Sequence, residues 1–199
     1  MKKEKGFTLV ELIVVIGIIV ILAAILIAAL NPAELIKRAR DTRRINDLAA
    51  LNRALAYYLA DVEYPNLTND SPNSNARCDG GGGTKTAFLS GPAAVSVSGF
   101  TISSSTSRAV NGTGWVPVNF TLITGGSPLP QLPVDPLNDS RYVYIYACSV
   151  IGGLTYELGG RLESLRYKDL ATNTIDGGND NNTYEVGTKL DIMGTVTWP

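Results

Sequence analysis

The sequence predicts an α+β chain: a long N-terminal α-helix, half membrane-spanning and half amphipathic, packed on a small antiparallel β-sheet domain. Three observations predict it. Residues 12–30 carry no charge. Leu48, Leu51, Leu55, Leu59 and Val62 then recur at spacings of three and four, the period of a helix with one apolar face. Beyond residue 65 the pattern changes to short β-rich runs separated by Gly, Pro, Asn and Ser, with none of the strand–helix alternation that builds a parallel sheet.

The apolar run comes first. As a helix, residues 12–30 span about 28 Å, close to the hydrocarbon thickness of a bilayer. Lys2, Lys3 and Lys5 precede the run, which favours an N-in orientation. A cleavable secretory signal has a shorter apolar core with a small-residue cleavage site after it, and a buried helix of a soluble core is not apolar on every face. A plain signal anchor fits the length but leaves Glu11 unexplained. That carboxylate lies just inside the apolar stretch Phe7–Leu30, where an ionisable group is expensive and needs a partner or a task. Thr8 followed three residues later by Glu11 also matches a capping box, the simpler reading of the same residue.

Gly6-Phe7-Thr8-Leu9-Val10-Glu11 resembles the class III signal of type IV prepilins and of type II secretion pseudopilins. The resemblance covers the leader, the cut and the whole apolar helix, without a departure in the motif. It implies a pilin-like fold and cleavage by a prepilin peptidase between Gly6 and Phe7. It further implies N-methylation of Phe7 and a role in assembly for Glu11, whose carboxylate would meet the new α-amino group of a neighbouring subunit. The implied partners are copies of the same chain, joined through their N-terminal helices, together with the peptidase/methylase, an assembly platform and its ATPase. The chain would reside in the cytoplasmic membrane before assembly, and in an extracellular or periplasmic filament afterwards. The implied organisation is a leader over residues 1–6, a transmembrane and filament-core helix over 7–30, an amphipathic continuation over 31–64, and an extracytoplasmic β-rich domain over 65–199.

Asn31-Pro32 follows the apolar run. Proline lacks an N–H and disfavours helix at the residue before it, so the pair either kinks one long helix or separates two, with Asn31 as a cap. Similar pilins have a first helix that partly melts in the filament, and Gly17 and Pro32 would bound such melting here. Lys37, Arg38, Arg40, Arg43 and Arg44 cluster between Glu34 and Asp47. They read as a solvated helix face beside Asp41 and Asp47, or as a contact with lipid headgroups or acidic neighbours.

Strands are expected within Ala93–Ile102, Trp115–Ile123, Arg141–Val150, Leu154–Leu162 and Tyr184–Trp198, the second interrupted by Pro117. Tyr142, Tyr144 and Tyr146 would share one strand face, as sheet packing or as a binding surface. The stretch Leu132–Asp139, followed by Tyr142-Val-Tyr, resembles the region before the final strands of major pseudopilins. Those proteins similarly hold calcium in a loop near the C-terminus, and Asp176, Asn179 and Asp180 in Asp176–Asn182 are the corresponding oxygen donors. A solvated turn is the alternative, and no cofactor is required by the sequence.

Cys78 and Cys148 are the two cysteines. In an exported domain they read as one disulfide closing a loop of about 70 residues, stabilising by roughly 2–4 kcal/mol; two separate buried thiols are the alternative. Histidine is absent, which removes the commonest general base and metal ligand. No Ser-His or Cys-His nucleophile is available, and Gly80–Gly83 lacks the Lys-Ser/Thr of a phosphate loop. The chain therefore reads as a structural subunit, not an enzyme. The net charge is −1, with eight Lys/Arg against eleven Asp/Glu from Asn66 onward, a balance that points to no nucleic-acid partner. Six Asn-X-Ser/Thr triplets, at Asn66, Asn69, Asn111, Asn119, Asn138 and Asn181, are what an Asn- and Thr-rich chain produces by chance. The principal expectation is a subunit of a type IV pilus-like filament. The alternatives are a type II secretion pseudopilin, a minor pilin acting as an adhesin or DNA-uptake tip, and a membrane receptor that never polymerises.

Overall fold

The computed structural model describes residues 6–70, 74–171 and 175–199, so all of the expected leader except Gly6 lies outside the described residues. The chain divides into two compact units, one ending at Lys37 and one running from Arg38 to Pro199. In the first, helix α1 covers Leu9–Leu30. It ends at Asn31, whose φ of 43° is left-handed, a conformation that Asn tolerates better than most residues. Helix α2, Pro32–Asp61, starts at once. Pro32 takes the first helical position, where its missing N–H is not needed. The Asn31 carbonyl accepts from the Glu34 and Leu35 amides, at 3.0 and 3.3 Å. One residue thus closes the first helix and opens the second, so of the two arrangements that Asn31-Pro32 allows, a kink or a break, the structure has the break.

In the second unit a five-stranded sheet has the order β3-β1-β4-β5-β6, with β1 at Thr86–Leu89, β3 at Thr101–Ser104, β4 at Tyr144–Ser149, β5 at Thr155–Gly160 and β6 at Tyr184–Gly187. A ribbon pairs β2, Ser96–Val97, with β7, Val196–Thr197. The sheet is dominated by antiparallel pairing, but β1 and β3 run parallel, Thr86 opposite Thr101 and Leu89 opposite Ser104. The turn at Ser98–Phe100 closes onto the β2–β7 ribbon, where Phe100 N donates to Val97 O. The chain thereby returns to the sheet edge in the direction of β1.

Alternation along β4 builds the core on both faces. Tyr144, Tyr146 and Cys148 pack with Leu48, Leu51, Leu55 and Tyr58 of α2, which is where the expected apolar stripe of the helix is buried. Val143, Ile145 and Ala147 pack with Ile192, Met193 and Val196 of the C-terminal segment. Both faces of the sheet are therefore covered. At Gly160 an added Cβ would lie 3.3 Å from the Leu48 and Tyr144 side chains, so the missing side chain lets helix and sheet approach.

Trp115–Ile123 is not a strand. Trp115, Val116, Val118 and Phe120 are buried as the apolar pattern requires, but their backbone bonds go elsewhere. Pro117 has no donor, Phe120 N donates to Val110 O, and Asn119 caps a short 3-10 turn at Phe120–Leu122. The tyrosine triplet is also divided. Tyr144 and Tyr146 point into the core, their hydroxyls donating to Asp47 and to Leu67 O, whereas Tyr142 precedes the strand and stacks under Arg44.

Candidate functional site

The N-terminal segment carries the expected motif on a helix that buries none of its described side chains. Every large apolar residue named along α1, from Leu9 to Leu30, is close to half exposed or more, and Leu9–Ile27 is long and apolar enough to cross a membrane. A water-soluble chain would not leave such a surface uncovered. At its start Thr8 and Glu11 form a reciprocal capping box. Glu11 N donates to Thr8 Oγ1 at 3.2 Å, and Thr8 donates from both its backbone N and its Oγ1 to Glu11 Oε2 at 2.9 Å. The carboxylate that the resemblance assigns to assembly is therefore already a cap within its own chain. Gly6 and Phe7 precede the helix as exposed residues outside regular secondary structure, a backbone open to a processing enzyme. At Gly17 an added Cβ would meet nothing within 4 Å, so among the described residues there is no packing reason for that glycine.

The basic cluster on α2 is not a uniform solvated face. Arg44 is completely buried. Its guanidinium donates to Asp135 through Nε (2.6 Å) and Nη2 (3.0 Å), and its Nη1 donates to Asp41 (2.8 Å) and Glu163 (2.7 Å). Arg40 donates to Glu163 through Nε and Nη2. Asp41 accepts in turn from the Glu163 and Ser164 amides. Burial alone would lower the Arg44 pKa, and the surrounding carboxylates more than reverse that. Burial likewise opposes ionisation of Glu163, and Arg40 and Arg44 hold it below the usual carboxylate range. Such a network orients loops more than it stabilises them: it fixes the 132–139 and 161–164 segments against α2. The signal in the sequence was an Arg flanked by Asp at i−3; its partners 91 and 119 residues away left none.

A disulfide joins Cys78 to Cys148 across a sequence separation of 70, with the two Cα atoms 4.7 Å apart. It ties the glycine-rich loop to the end of β4. In that loop Asp79 N donates to Cys148 O, and Val150 N donates to Asp79 O.

The oxygen-rich loop folds inward on its own backbone. Asp176 accepts from the amides of Gly178 and Glu185. Asp180 accepts from Asn182 N, Thr183 Oγ1 and Val196 N. Among the described residues no three Asp, Glu, His or Cys side chains are grouped to hold a metal ion. The carboxylates of Asp176 and Asp180 thus act as turn and segment caps, an arrangement unlike the six to eight converging oxygens that calcium takes.

Beside that loop lies an acid pair that the sequence did not reveal. Glu157 on β5 and Glu185 on β6 sit diagonally across the ladder, opposite Gly187 and Gly159, and both are fully buried. Glu157 Oε2 accepts from Ile192 N and Met193 N, each at 2.8 Å, and Glu185 Oε2 accepts from Asp180 N at 3.1 Å. Gly178 makes room, since an added Cβ would overlap Glu185 Oε2. Burial first, and then the Glu157 carboxyl, push the Glu185 pKa up to about 9. Burial raises Glu157 as well.

Residues 1–27 match the family described as the prokaryotic N-terminal methylation motif. The chain is also 40% identical over 74 residues to the type IV major alpha-pilin of Moraxella bovis, an alignment covering 37% of this chain and 45% of that protein. The chain thus spans about half the length of this curated relative. No solved structure matches. Together the motif and the relative support a type IV pilin or pseudopilin family for this chain.

Proposed function

We propose that the chain is a structural, non-catalytic subunit of a type IV pilus-like filament, stored in the cytoplasmic membrane and polymerised through α1. Prepilin peptidase cuts between Gly6 and Phe7, Phe7 is N-methylated, and an ATPase-driven platform extracts the subunit into a homopolymer. The observation that carries this reading is α1: an apolar helix exposed on all sides, headed by one carboxylate at Glu11. Lipid covers that surface before assembly, and the same helix of other copies covers it afterwards. Apolar side chains as exposed as those described along α1 suit both environments. The second unit, acidic and disulfide-closed, suits the filament exterior.

The test is the intact mass of the full chain recovered from its native membranes and from sheared surface material. The expected product lacks residues 1–6, carries one added methyl, and appears in the sheared fraction. A chain that retains Met1 in cells possessing the peptidase would overturn the filament reading and leave a membrane-anchored domain. A processed chain confined to the envelope would favour the pseudopilin form over an extended pilus.

A further inference from the structure

The C-terminal strand and the segment after β5 enclose a cleft of about 380 Å³, lined by Arg161, Asn182, Thr195, Val196, Thr197 and Trp198. A smaller cleft of about 60 Å³ shares Arg161 and Asn182 and brings in Lys168. The combined space is at the small end of ligand sites. Arg44, Arg77, Lys85, Arg141 and Lys189 each have a carboxylate within ion-pair reach. Among the described residues, neither Arg161 nor Lys168 is paired with an Asp or Glu side chain.

Arg161 is nevertheless held in place. Its guanidinium lies 5.9 Å from the Tyr142 ring and 6.0 Å from the Trp198 ring, distances at which a cation is attracted to the ring face. Among the described residues its one hydrogen bond, from Nη1 to Pro199 O, is 3.5 Å long, which leaves most of its five donors available to a ligand in the cleft that it lines. The indole is fixed as well. Trp198 Nε1 donates to Thr183 Oγ1 at 3.0 Å, and that hydroxyl donates to Asp180 at 3.1 Å. The cleft is therefore preorganised: a planar cation, a second cation on one side, an anchored aromatic surface, and amide and hydroxyl side chains between them.

We propose that this cleft binds a carboxylated sugar, a uronic-acid unit of an acidic polysaccharide. The guanidinium fork takes the carboxylate in a two-point contact, and Lys168 adds a point charge. The indole offers its flat apolar surface to the C–H face of the pyranose ring, leaving the hydroxyls to Asn182, Thr195 and Thr197. A bare phosphate would use the cations and have no need of the indole. The site lies wholly within the second unit, so it stands whether or not the chain polymerises.

The experiment is a tryptophan-fluorescence titration of the full chain in detergent micelles with tri-galacturonate at constant ionic strength. The chain has two tryptophans, and Trp115 is buried in the core, so Trp198 is the reporter. A saturable change is expected, absent in Trp198→Phe. In Arg161→Gln the midpoint moves about tenfold weaker, the scale of losing one charged hydrogen-bonded contact. Lys168→Gln, on an exposed residue, weakens binding less and serves if Arg161→Gln fails to fold by circular dichroism. An unsaturable response, an equal response to neutral maltotriose, or the same Arg161-dependent change with inorganic phosphate overturns the proposal.

Discussion

Glutamine at position 185 should abolish most of a pH dependence of stability that the wild-type chain shows on the alkaline side. In the folded protein Glu157 and Glu185 are buried together, and the Oε1 atoms of both lack a hydrogen-bond partner other than each other's carboxyl. Two ionised carboxylates in that position would repel without solvent to separate them, so the pair keeps one proton. Glu185 holds it up to about pH 9, whereas its ordinary value is 4.5. Between those limits the folded state binds one proton more than the unfolded chain. The sign follows: the contribution is complete below about pH 4.5 and is lost as pH rises toward 9, with a limiting slope of about 1.4 kcal/mol per pH unit. From pH 5.5 to 8.5 the limit is about 4 kcal/mol, and solvent penetration reduces it to roughly 2–4 kcal/mol. For a chain of this size that corresponds to a fall in Tm of roughly 4–16 °C. The assay is thermal melting of the full chain in detergent, followed by near-ultraviolet circular dichroism at pH 5.5, 7.0 and 8.5. Glu185→Gln keeps the shape and a donor for Glu157 but has no proton to lose, so its Tm should be nearly flat over the same range. Burial also raises Asp47, a feature common to both proteins, so the difference between them isolates the pair. A wild-type Tm that stays level or rises from pH 5.5 to 8.5, or a Gln variant that tracks the wild type, refutes the shared proton.

Arg44→Ala strands Asp41, Asp135 and Glu163 without their common cation, and urea denaturation should show a loss of about 3–5 kcal/mol. Arg43→Ala, whose guanidinium is largely exposed and 3.6 Å from Asp47, should cost at most about 1 kcal/mol in the same assay. Replacing Cys78 and Cys148 together by serine should lower stability by roughly 2–5 kcal/mol, read as the shift in urea midpoint against the oxidised wild type. Calcium added after chelation should leave Tm unchanged, because the Asp176 and Asp180 carboxylates already accept backbone amides; a rise in Tm saturating with calcium would establish the site at Asp176, Asn179 and Asp180.

What was legible in the sequence was what local pattern encodes. The uncharged run gave α1, and Leu48, Leu51 and Leu55 gave the buried face of α2, because helix periodicity needs only neighbours three and four residues away. The parallel pairing of β1 with β3 was not legible, since register between strands is decided by tertiary packing. Trp115–Ile123 misled for a related reason: burial and β propensity were right, but the Trp115 and Phe120 amides donate to Ser107 O and Val110 O instead of to a ladder. Glu157 misled most. In Tyr156-Glu157-Leu158 the alternation assigns Glu157 to solvent, yet the segment carrying Ile192 and Met193 covers that face and donates its amides to the carboxylate. The motif at Gly6–Glu11 was legible as a pattern, whereas its geometry as a closed capping box was one of two readings the letters allowed.

That capping box bears on how a filament subunit could carry a carboxylate in its most apolar segment. An isolated glutamate at membrane depth would be expensive, but Glu11 Oε2 already accepts two hydrogen bonds from Thr8, and the positive end of α1 lies beneath it. Both reduce the cost of storing the subunit in lipid. Cleavage after Gly6 would then place a new ammonium one residue before Thr8, adjacent to a carboxylate with one oxygen occupied by the cap. The Glu11 Oε1 atom has no hydrogen bond within the cap and is the one left for a neighbour's amine. On the proposed function, Glu11 therefore does not have to abandon its own helix in order to pair across subunits. Thr8→Val tests this: it should leave the second unit's stability unaltered while weakening assembly, because the carboxylate loses the hydroxyl that fixes its rotamer. Wild-type filament yield from Thr8→Val alongside loss of filaments in Glu11→Ala would show that the charge matters and the cap does not.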